Sequence, residues 1–305
     1  MILPPFLKLG SKVRIVSTAR KIEPEKINPS VSLLSSWGFE VSLGSNIFAE
    51  KNQFAGSDDL RINDLQTALD DPDINMIWCS RGGYGTVKLI DRLNFDAFLR
   101  HPKWIVGYSD ITGLLTHITE NFGVATIHGT MPINISDYPT PEQNESIQSL
   151  KNLLFGQTFC YKLPQHPLSR CGNAEGSLIG GNLSILYSIL GSSSSPDTED
   201  KILFIEDLDE YLYHIDRIMV NMKRNGKLSN LRALIVGGMS DMNDNAIPYG
   251  MSAEEIIYEH IKDFEYPVYF NFSAGHISPN LALPFGVCVK INENQLMSNH
   301  IGQNS

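Results

Sequence analysis

One serine of the chain stands where a strand-like segment turns into a helix-like one. Residues 104–115 read WIVGYSDITGLL, with strand-favouring apolar residues before Ser109 and apolar residues at helical spacing after it. Such a serine is either the N-cap of the helix or a nucleophile held at the end of the strand. The stretch departs from the G-x-S-x-G pattern of ordinary α/β-hydrolases, because Ile111 replaces the second glycine.

A glycine-rich segment, SRGGYGT at residues 80–86, follows another apolar strand pattern. Paired glycines bring backbone N–H groups close to a ligand, so the segment predicts a phosphate cradle or an oxyanion hole. It has neither the Gly-Lys-Ser/Thr of a Walker loop nor the spacing of a dinucleotide loop. A glycine-rich turn without a ligand fits the same residues.

A serine hydroxyl needs a base, and an acid that orients the base, before it attacks a carbonyl. Glu206 directly follows the apolar strand pattern of residues 202–205, although the acidic run it opens also fits a solvated loop. His276 lies in a loop between two short strand patterns, and His128 at the end of another strand is its one serious competitor. Together these residues give serine, acid and histidine in chain order.

The elements that must position these residues alternate along the first half of the chain. Strand and helix patterns in alternation predict a parallel sheet with helices on both faces. Ligands of such sheets bind beyond the carboxyl ends of the strands, where both candidate loops lie. The predicted strands are 13–19, 39–43, 74–79, 103–108 and 124–128, and the predicted helices are 29–37, 57–71, 84–93 and 110–122.

After a predicted helix at 141–155, prolines, glycines and polar residues at 156–175 indicate a domain boundary. We therefore expect an N-terminal nucleophile domain at 1–160 and a smaller mixed α/β domain at 172–305. In the second domain the patterns predict helices at 181–190, 211–224 and 252–263 and strands at 201–207, 231–238, 267–271 and 285–299.

The composition limits the class of protein. The chain has 305 residues, of which 42% are hydrophobic and 19% charged, as in globular proteins. Its net charge of −10 repels nucleic acid. The sequence shows no secretory signal and no apolar stretch that would span a membrane. Its four cysteines lack metal-site spacing, which predicts reduced thiols, no metal site and a cytoplasmic location.

Several blocks in order along nearly the whole chain resemble the LD-carboxypeptidases, the serine peptidase family S66 that includes muramoyltetrapeptide carboxypeptidase. The blocks are FAGSDDLRINDLQTALDDPDINMIWCSRGGYG (54–85), VGYSDITGLL (106–115), IHGTM (127–131), GGNLSIL (180–186), ILFIED (202–207) with YHIDRIM (213–219), and AGHISPNLALPFG (274–286).

The resemblance implies a role for each matching residue. It implies Ser109 as nucleophile, Glu206 as acid and His276 as base, with backbone N–H groups of Gly83 and Asp110 as oxyanion donors. The implied fold is a flavodoxin-like N-terminal domain, related in shape to class I glutamine amidotransferases. A smaller C-terminal domain would carry the acid and the base, and homodimers are common in the family.

The implied activity is release of terminal D-alanine from murein tetrapeptides during peptidoglycan recycling in the cytoplasm, without a metal or organic cofactor. Arg81, beside the glycine loop, is the candidate partner of the substrate carboxylate. Two positions depart from the family: Thr130 replaces the proline of His-Gly-Pro, and VSTAR at 16–20 replaces the usual APS. Both lie near the expected cleft and bear on substrate preference.

Three other functions remain open. An amidase of the same family that hydrolyses peptidyl-nucleotide antibiotics would share the triad and differ in its specificity loops. A catalytically silent protein would use residues 80–86 to hold an anion. A cysteine-dependent hydrolase of similar fold would need a cysteine at the turn that carries Ser109.

Overall fold

A computed structural model describes residues 1–298 of the chain. Five strands and five helices form the first half. The strands are β1 (Lys12–Val16), β2 (Glu40–Leu43), β3 (Ile74–Cys79), β4 (Trp104–Gly107) and β5 (Thr126–His128). The helices are α1 (Pro24–Ser36), α2 (Asp58–Asp70), α3 (Asp96–Arg100), α4 (Thr112–Phe122) and α5 (Pro141–Leu154).

The second half contains eight strands and three helices among the described residues. The strands are β6 (Cys160–Lys162), β7 (Ala174–Asn182), β8 (Ile202–Leu208), β9 (Ala233–Ser240), β10 (Val268–Tyr269), β11 (Leu283–Phe285), β12 (Cys288–Asn292) and β13 (Gln295–Ser298). The helices are α6 (Leu183–Ser188), α7 (Leu212–Arg224) and α8 (Ala253–Ile261).

The first sheet has the strand order β2-β1-β3-β4-β5-β11, and its first five strands are parallel. This is the flavodoxin order, in which strands reach the edges through right-handed crossovers. The predicted flavodoxin-like sheet is confirmed. The predicted N-cap of α2 is also present, since the Ser57 side chain accepts a hydrogen bond from Leu60 N at 3.3 Å.

The second sheet is mixed, with the order β10-β9-β8-β7-β12-β13-β6. Strands β7 to β10 pair in parallel, whereas β12, β13 and β6 extend the sheet with antiparallel pairs. The long strand β7 was not predicted from the sequence. Its residues AEGSLIGGN include three glycines, which weaken a strand pattern.

Of the two hydrophobic clusters in residues 1–298, one is shared by both sheets, and the other lies within the second half. Trp78 and Trp104 of the first half belong to the same buried cluster as Phe204 and Phe272 of the second half. Strand β11 comes from the second half of the chain but belongs to the first sheet, where it pairs antiparallel with β5 at the edge. The division at 1–160 and 172–305 stays a prediction, and β11 is the strand that crosses it.

The predicted helix at 84–93 is wrong. Two short 3-10 turns, Thr86–Lys88 and Ile90–Arg92, occupy the segment. The backbone N–H groups at its start bind the buried carboxylate of Asp110, and Gly85 has a φ of +135°, which is incompatible with a helix at that residue. Among the helices of residues 1–298, none is long and apolar enough to cross a membrane.

Candidate active site

Ser109 lies at the carboxyl end of β4, in a strained turn. Its φ is +62°, a conformation that costs a residue with a side chain on the order of 1–3 kcal/mol. The N-cap of α4 is Ile111, and no side chain caps that helix. The Ser109 hydroxyl is therefore not used as a helix cap, and the strained turn holds it at the end of the strand.

The glycine-rich loop after β3 passes directly against Ser109. A Cβ atom on Gly82 would lie 2.9 Å from Ser109 Oγ and 3.3 Å from the backbone nitrogen of Asp110, so this position requires glycine. No backbone carbonyl of residues 1–298 accepts a hydrogen bond from the N–H of Gly82 or Gly83. Unused N–H groups beside a serine hydroxyl are suited to stabilise an oxyanion.

The Asp110 side chain connects this loop by hydrogen bonds to the turn around Ser109. Asp110 is 1% exposed, and its carboxylate accepts hydrogen bonds from Gly85 N at 3.3 Å and Thr86 N at 2.8 Å. Burial raises its pKa. Arg61 of α2, also buried, donates to Gly85 O at 3.0 Å from the other side. The sequence indicated a role only for the backbone N–H of Asp110. Arg61 was not predicted, because no local pattern distinguishes it from a surface arginine.

Glu206 and the partly buried His276 form a hydrogen-bonded pair. Glu206 lies in β8 and is fully buried, and its Oε2 is 2.7 Å from His276 Nδ1 and accepts from His276 N at 3.1 Å. A Cβ atom on Gly275, whose φ is +103°, would lie 2.6 Å from Glu206 Oε2. Glycine at 275 therefore permits the close approach of the His276 loop to β8. A carboxylate bound to Nδ1 fixes the orientation of the imidazole and leaves Nε2 for other chemistry.

The imidazole of His276 reaches the nucleophile turn of the first half. Its ring centroid is 4.8 Å from that of Tyr108, the residue before Ser109. Within residues 1–298 no hydrogen bond joins Ser109 to His276. The contact with Tyr108 is therefore what brings the imidazole to the turn around Ser109.

Helix α5 of the first half anchors the loop that carries His276. Asn280 N donates to Ser146 Oγ at 2.8 Å, and Ala282 N donates to Ser149 Oγ at 3.0 Å. Both serines are buried on α5. The loop thus rests on the first half of the chain although its acid partner lies in the second sheet.

His128, the competitor, lies in the core. It is fully buried, and its ring packs against Tyr108, Phe204 and Phe285. Neither ring nitrogen has a hydrogen-bond partner among residues 1–298, and burial lowers the pKa of His128 to about 4. A neutral imidazole with no access to solvent is poorly placed to act as the base.

A chain of hydrogen bonds connects the nucleophile turn to the strand that carries Glu206. Asn182 N donates to Thr112 Oγ1 at 3.0 Å, and Asn182 Nδ2 donates to Asp207 Oδ1 at 2.9 Å. Asp207 also accepts from Ser184 N at 2.9 Å. Burial, followed by the neighbouring charge of Glu206, raises the pKa of Asp207 to about 7. This connection was not predicted from the sequence, because Thr112 and Asn182 are 70 residues apart.

A half-buried arginine and a small cavity lie near the segments that carry Ser109 and His276. Arg81 is half-buried, and burial lowers its pKa. A small polar cavity of about 110 Å³ lies next to the His276 loop, between Tyr108 and Ile277. Thr130, one of the two departures from the family pattern, lines this cavity.

The turn at the end of β4 carries a serine, Ser109, where a cysteine-dependent hydrolase would need a cysteine. Cys79 at the end of β3 is the buried cysteine of the described chain, and burial raises its pKa to about 12. No group of three or more His, Cys, Asp or Glu side chains in residues 1–298 is arranged to hold a metal ion.

The comparisons with known proteins agree on one family. The model of the LD-carboxypeptidase N-terminal domain matches residues 13–129, and that of the C-terminal domain matches residues 175–291. The chain belongs to the LD-carboxypeptidase family, S66. The predicted family is confirmed, and the chain is a serine peptidase of the LD-carboxypeptidase type, a hydrolase.

Relatives of this LD-carboxypeptidase include two bacterial proteins matched over most of their length. It is 34% identical to the probable murein peptide carboxypeptidase of Bacillus subtilis, over 95% of this chain and 91% of that protein. It is 30% identical to the murein tetrapeptide carboxypeptidase of Pseudomonas aeruginosa, over 94% of this chain and 95% of that protein.

Solved structures share its fold. A microcin C7 self-immunity protein, in complex with aspartyl sulfamoyl adenosine, superposes with a TM-score of 0.87 at 25% identity, covering 98% of this chain and 99% of that one. A muramoyltetrapeptide carboxypeptidase from Oxalobacter formigenes superposes with a TM-score of 0.83 at 23% identity, covering 94% and 97%.

Proposed function

We propose that this LD-carboxypeptidase releases terminal D-alanine from murein tetrapeptides, with Ser109 as nucleophile, His276 as base and Glu206 as the acid that orients it. The observation that carries the proposal is the contact of 2.7 Å between the buried carboxylate of Glu206 and His276, whose ring packs against the residue that precedes Ser109. The names of the Bacillus and Pseudomonas relatives support the substrate class.

In the proposed reaction, His276 takes the proton of Ser109 as the oxygen attacks the carbonyl carbon of the bond before D-alanine. The N–H groups of Gly83 and Asp110 receive the oxyanion, and each such donor lowers the barrier by about 3 kcal/mol. The imidazolium then protonates the leaving amine of D-alanine, and water releases the acyl group from Ser109. Glu206 stabilises the imidazolium throughout.

Arg81 is proposed as a partner of the substrate carboxylate, because it is the cation next to the glycine loop in sequence. The proposal also includes a homodimer, a cytoplasmic location and a role in peptidoglycan recycling, as the family resemblance implies.

The test compares Ser109→Ala with the matched control Ser188→Ala. The Ser188 hydroxyl donates only to Ile185 O of its own helix, at 2.8 Å. We expect Ser109→Ala to lose D-alanine release from a defined murein tetrapeptide at an unchanged melting temperature, whereas Ser188→Ala keeps it. Full activity of Ser109→Ala would end the serine mechanism.

A second candidate is cleavage of aminoacyl-sulfamoyl nucleosides, favoured by the TM-score of 0.87 to the self-immunity protein with such a compound bound. Turnover of aspartyl sulfamoyl adenosine without D-alanine release would favour this function. A fluorophosphonate probe separates both hydrolases from a silent anion-binding protein, which would leave Ser109 unlabelled.

A further inference from the structure

Two arginine side chains belong to or contact the glycine loop of residues 80–86. Arg20 follows β1, and its side chain lies across Gly83, where a Cβ atom would be 2.5 Å from Arg20 Cδ and 2.9 Å from Nε. The backbone of Arg20 is held by a β-bridge to Phe54. The glycine at 83, with a φ of +110°, makes room for this arginine stem.

The Arg81 guanidinium extends to the backbone next to Arg20, since its Nη1 donates to Lys21 O at 3.1 Å. Burial lowers the pKa of Arg81, and the charge of Arg20 lowers it further. Two cations held side by side repel each other, and an anion between them relieves the repulsion.

Neither group is compensated within residues 1–298. No carboxylate forms an ion pair with Arg20 or Arg81 there, whereas the neighbouring Lys21 pairs with Glu50 at 2.6 Å. Arg81 donates to Lys21 O at 3.1 Å, but its Nε is buried without a partner. Two cations at one loop, neither with an ion-pair partner among the described residues, are suited to bind an anion.

The distance from the nucleophile fits one particular anion. In a carboxypeptidase substrate, only three covalent bonds separate the scissile carbonyl carbon from the terminal carboxylate carbon, a span of at most about 3.8 Å. The carboxylate must therefore bind about one residue length from Ser109. Gly82 contacts Ser109 directly, and Gly83, on which Arg20 lies, is the next residue.

We infer that Arg20 is a specificity-determining residue that binds, together with Arg81, the free carboxylate of the terminal D-amino acid. The inference rests on the proposed function and adds to it a residue from the segment that departs from the family pattern. Guanidinium groups suit this task because their N–H donors match the geometry of a carboxylate.

The test uses two tetrapeptides that differ only at the end, one with D-alanine and one with D-alaninamide. The variants are Arg20→Gln, Arg20→Lys and the control Lys21→Gln, whose charge is already paired. For Arg20→Gln we expect kcat/KM on the free acid to fall roughly 10- to 100-fold, as for loss of a charge-assisted hydrogen bond. We expect the value on the amide to change less than about threefold, and Lys21→Gln to match the wild type on both.

Arg20→Lys keeps the charge and loses the planar fork, so we expect an intermediate loss on the acid. An acid-to-amide ratio in Arg20→Gln equal to that of the wild type would overturn the inference. Arg20 is exposed, so its replacement is not expected to unfold the chain.

Failure of the proposed function is separated by calorimetry of the same two peptides. If the wild type releases no D-alanine, the proposed function fails, and the carboxylate site is judged from binding alone. Tighter binding of the acid than of the amide, lost in Arg20→Gln, supports the site. Equal binding of acid and amide by the wild type contradicts it.

Discussion

Glu206 holds His276 at two points with a single oxygen atom. Its Oε2 is 2.7 Å from the ring nitrogen Nδ1 and 3.1 Å from the backbone nitrogen of the same residue. The other oxygen, Oε1, is buried and has no hydrogen-bond partner among the described residues. One carboxylate therefore fixes both the position of the loop and the orientation of the imidazole.

Glu206→Gln tests this relationship, because the amide keeps the shape of the side chain and loses its charge. We expect kcat to fall on the order of 10³–10⁴-fold, since the imidazole loses the partner that orients it and stabilises its charged form. The measurement is D-alanine release at saturating tetrapeptide. Glu210→Gln is the control, because Glu210 pairs with His214 at 2.9 Å on a partly exposed surface. An equal loss in both variants would argue against a special role of Glu206.

Gly82→Ala tests the packing of the glycine loop on Ser109. The added methyl group would lie 2.9 Å from the hydroxyl oxygen, so loop and nucleophile must separate. We expect at least about a hundredfold loss of kcat/KM, because small displacements at a reacting centre have large effects. Gly113→Ala in α4 is the control, since its methyl group would meet Ile90 Cδ1 at 3.6 Å and Ile185 Cγ2 at 3.7 Å, which are ordinary contact distances. Retained activity in Gly82→Ala would show that this contact is dispensable.

The turn around Ser109 illustrates what the sequence could predict. An apolar strand, a small residue at the corner and a helical pattern are local signals, and they placed Ser109 at the end of a strand, as the structure does. Local signals also predicted the bounds of β3 and the N-cap Ser57 correctly. Strand β11 has only three residues, and its partner β5 is about 150 residues away in sequence. No local pattern specifies such a pairing.

The supports of the site escaped prediction for the same reason. Arg61 and Asp207 act through burial and through contacts that only the folded chain brings together. The sequence made Glu206 and His276 candidates by their places after strand patterns, and the family resemblance implied their roles, since each alone also fits a surface loop.

Thr112→Val tests the connection between the nucleophile turn and β8. Valine has the same shape and no acceptor, so the buried N–H of Asn182 loses its hydrogen bond at 3.0 Å. We expect the free energy of unfolding to fall by about 1–3 kcal/mol, the cost of an unpaired buried donor. Chemical denaturation measures it. Thr116→Val, which removes bonds only to carbonyl groups of its own helix, should cost less, and equal costs would contradict the prediction.

His128→Leu tests the effect of a buried neutral histidine on the pH dependence of stability. The folded pKa of about 4 lies below the ordinary 6.5, so the unfolded chain binds the proton first as the pH falls. The wild type should therefore lose stability from this group between pH 6.5 and about 4, by up to roughly 3 kcal/mol. We expect a flatter profile for the variant in denaturation curves across this range. His101→Gln, at an exposed position, is the control, and identical profiles for the wild type and His128→Leu would refute the expectation.

The segment that carries His276 begins at β10 in one sheet and ends at β11 in the other. This segment therefore connects the second sheet directly to the first. Its loop is bound on both sides, by α5 through Asn280 and Ala282 and by β8 through Glu206. A substitution that shifts one sheet relative to the other would therefore strain the position of the imidazole, and we expect such substitutions to lower activity even far from Ser109.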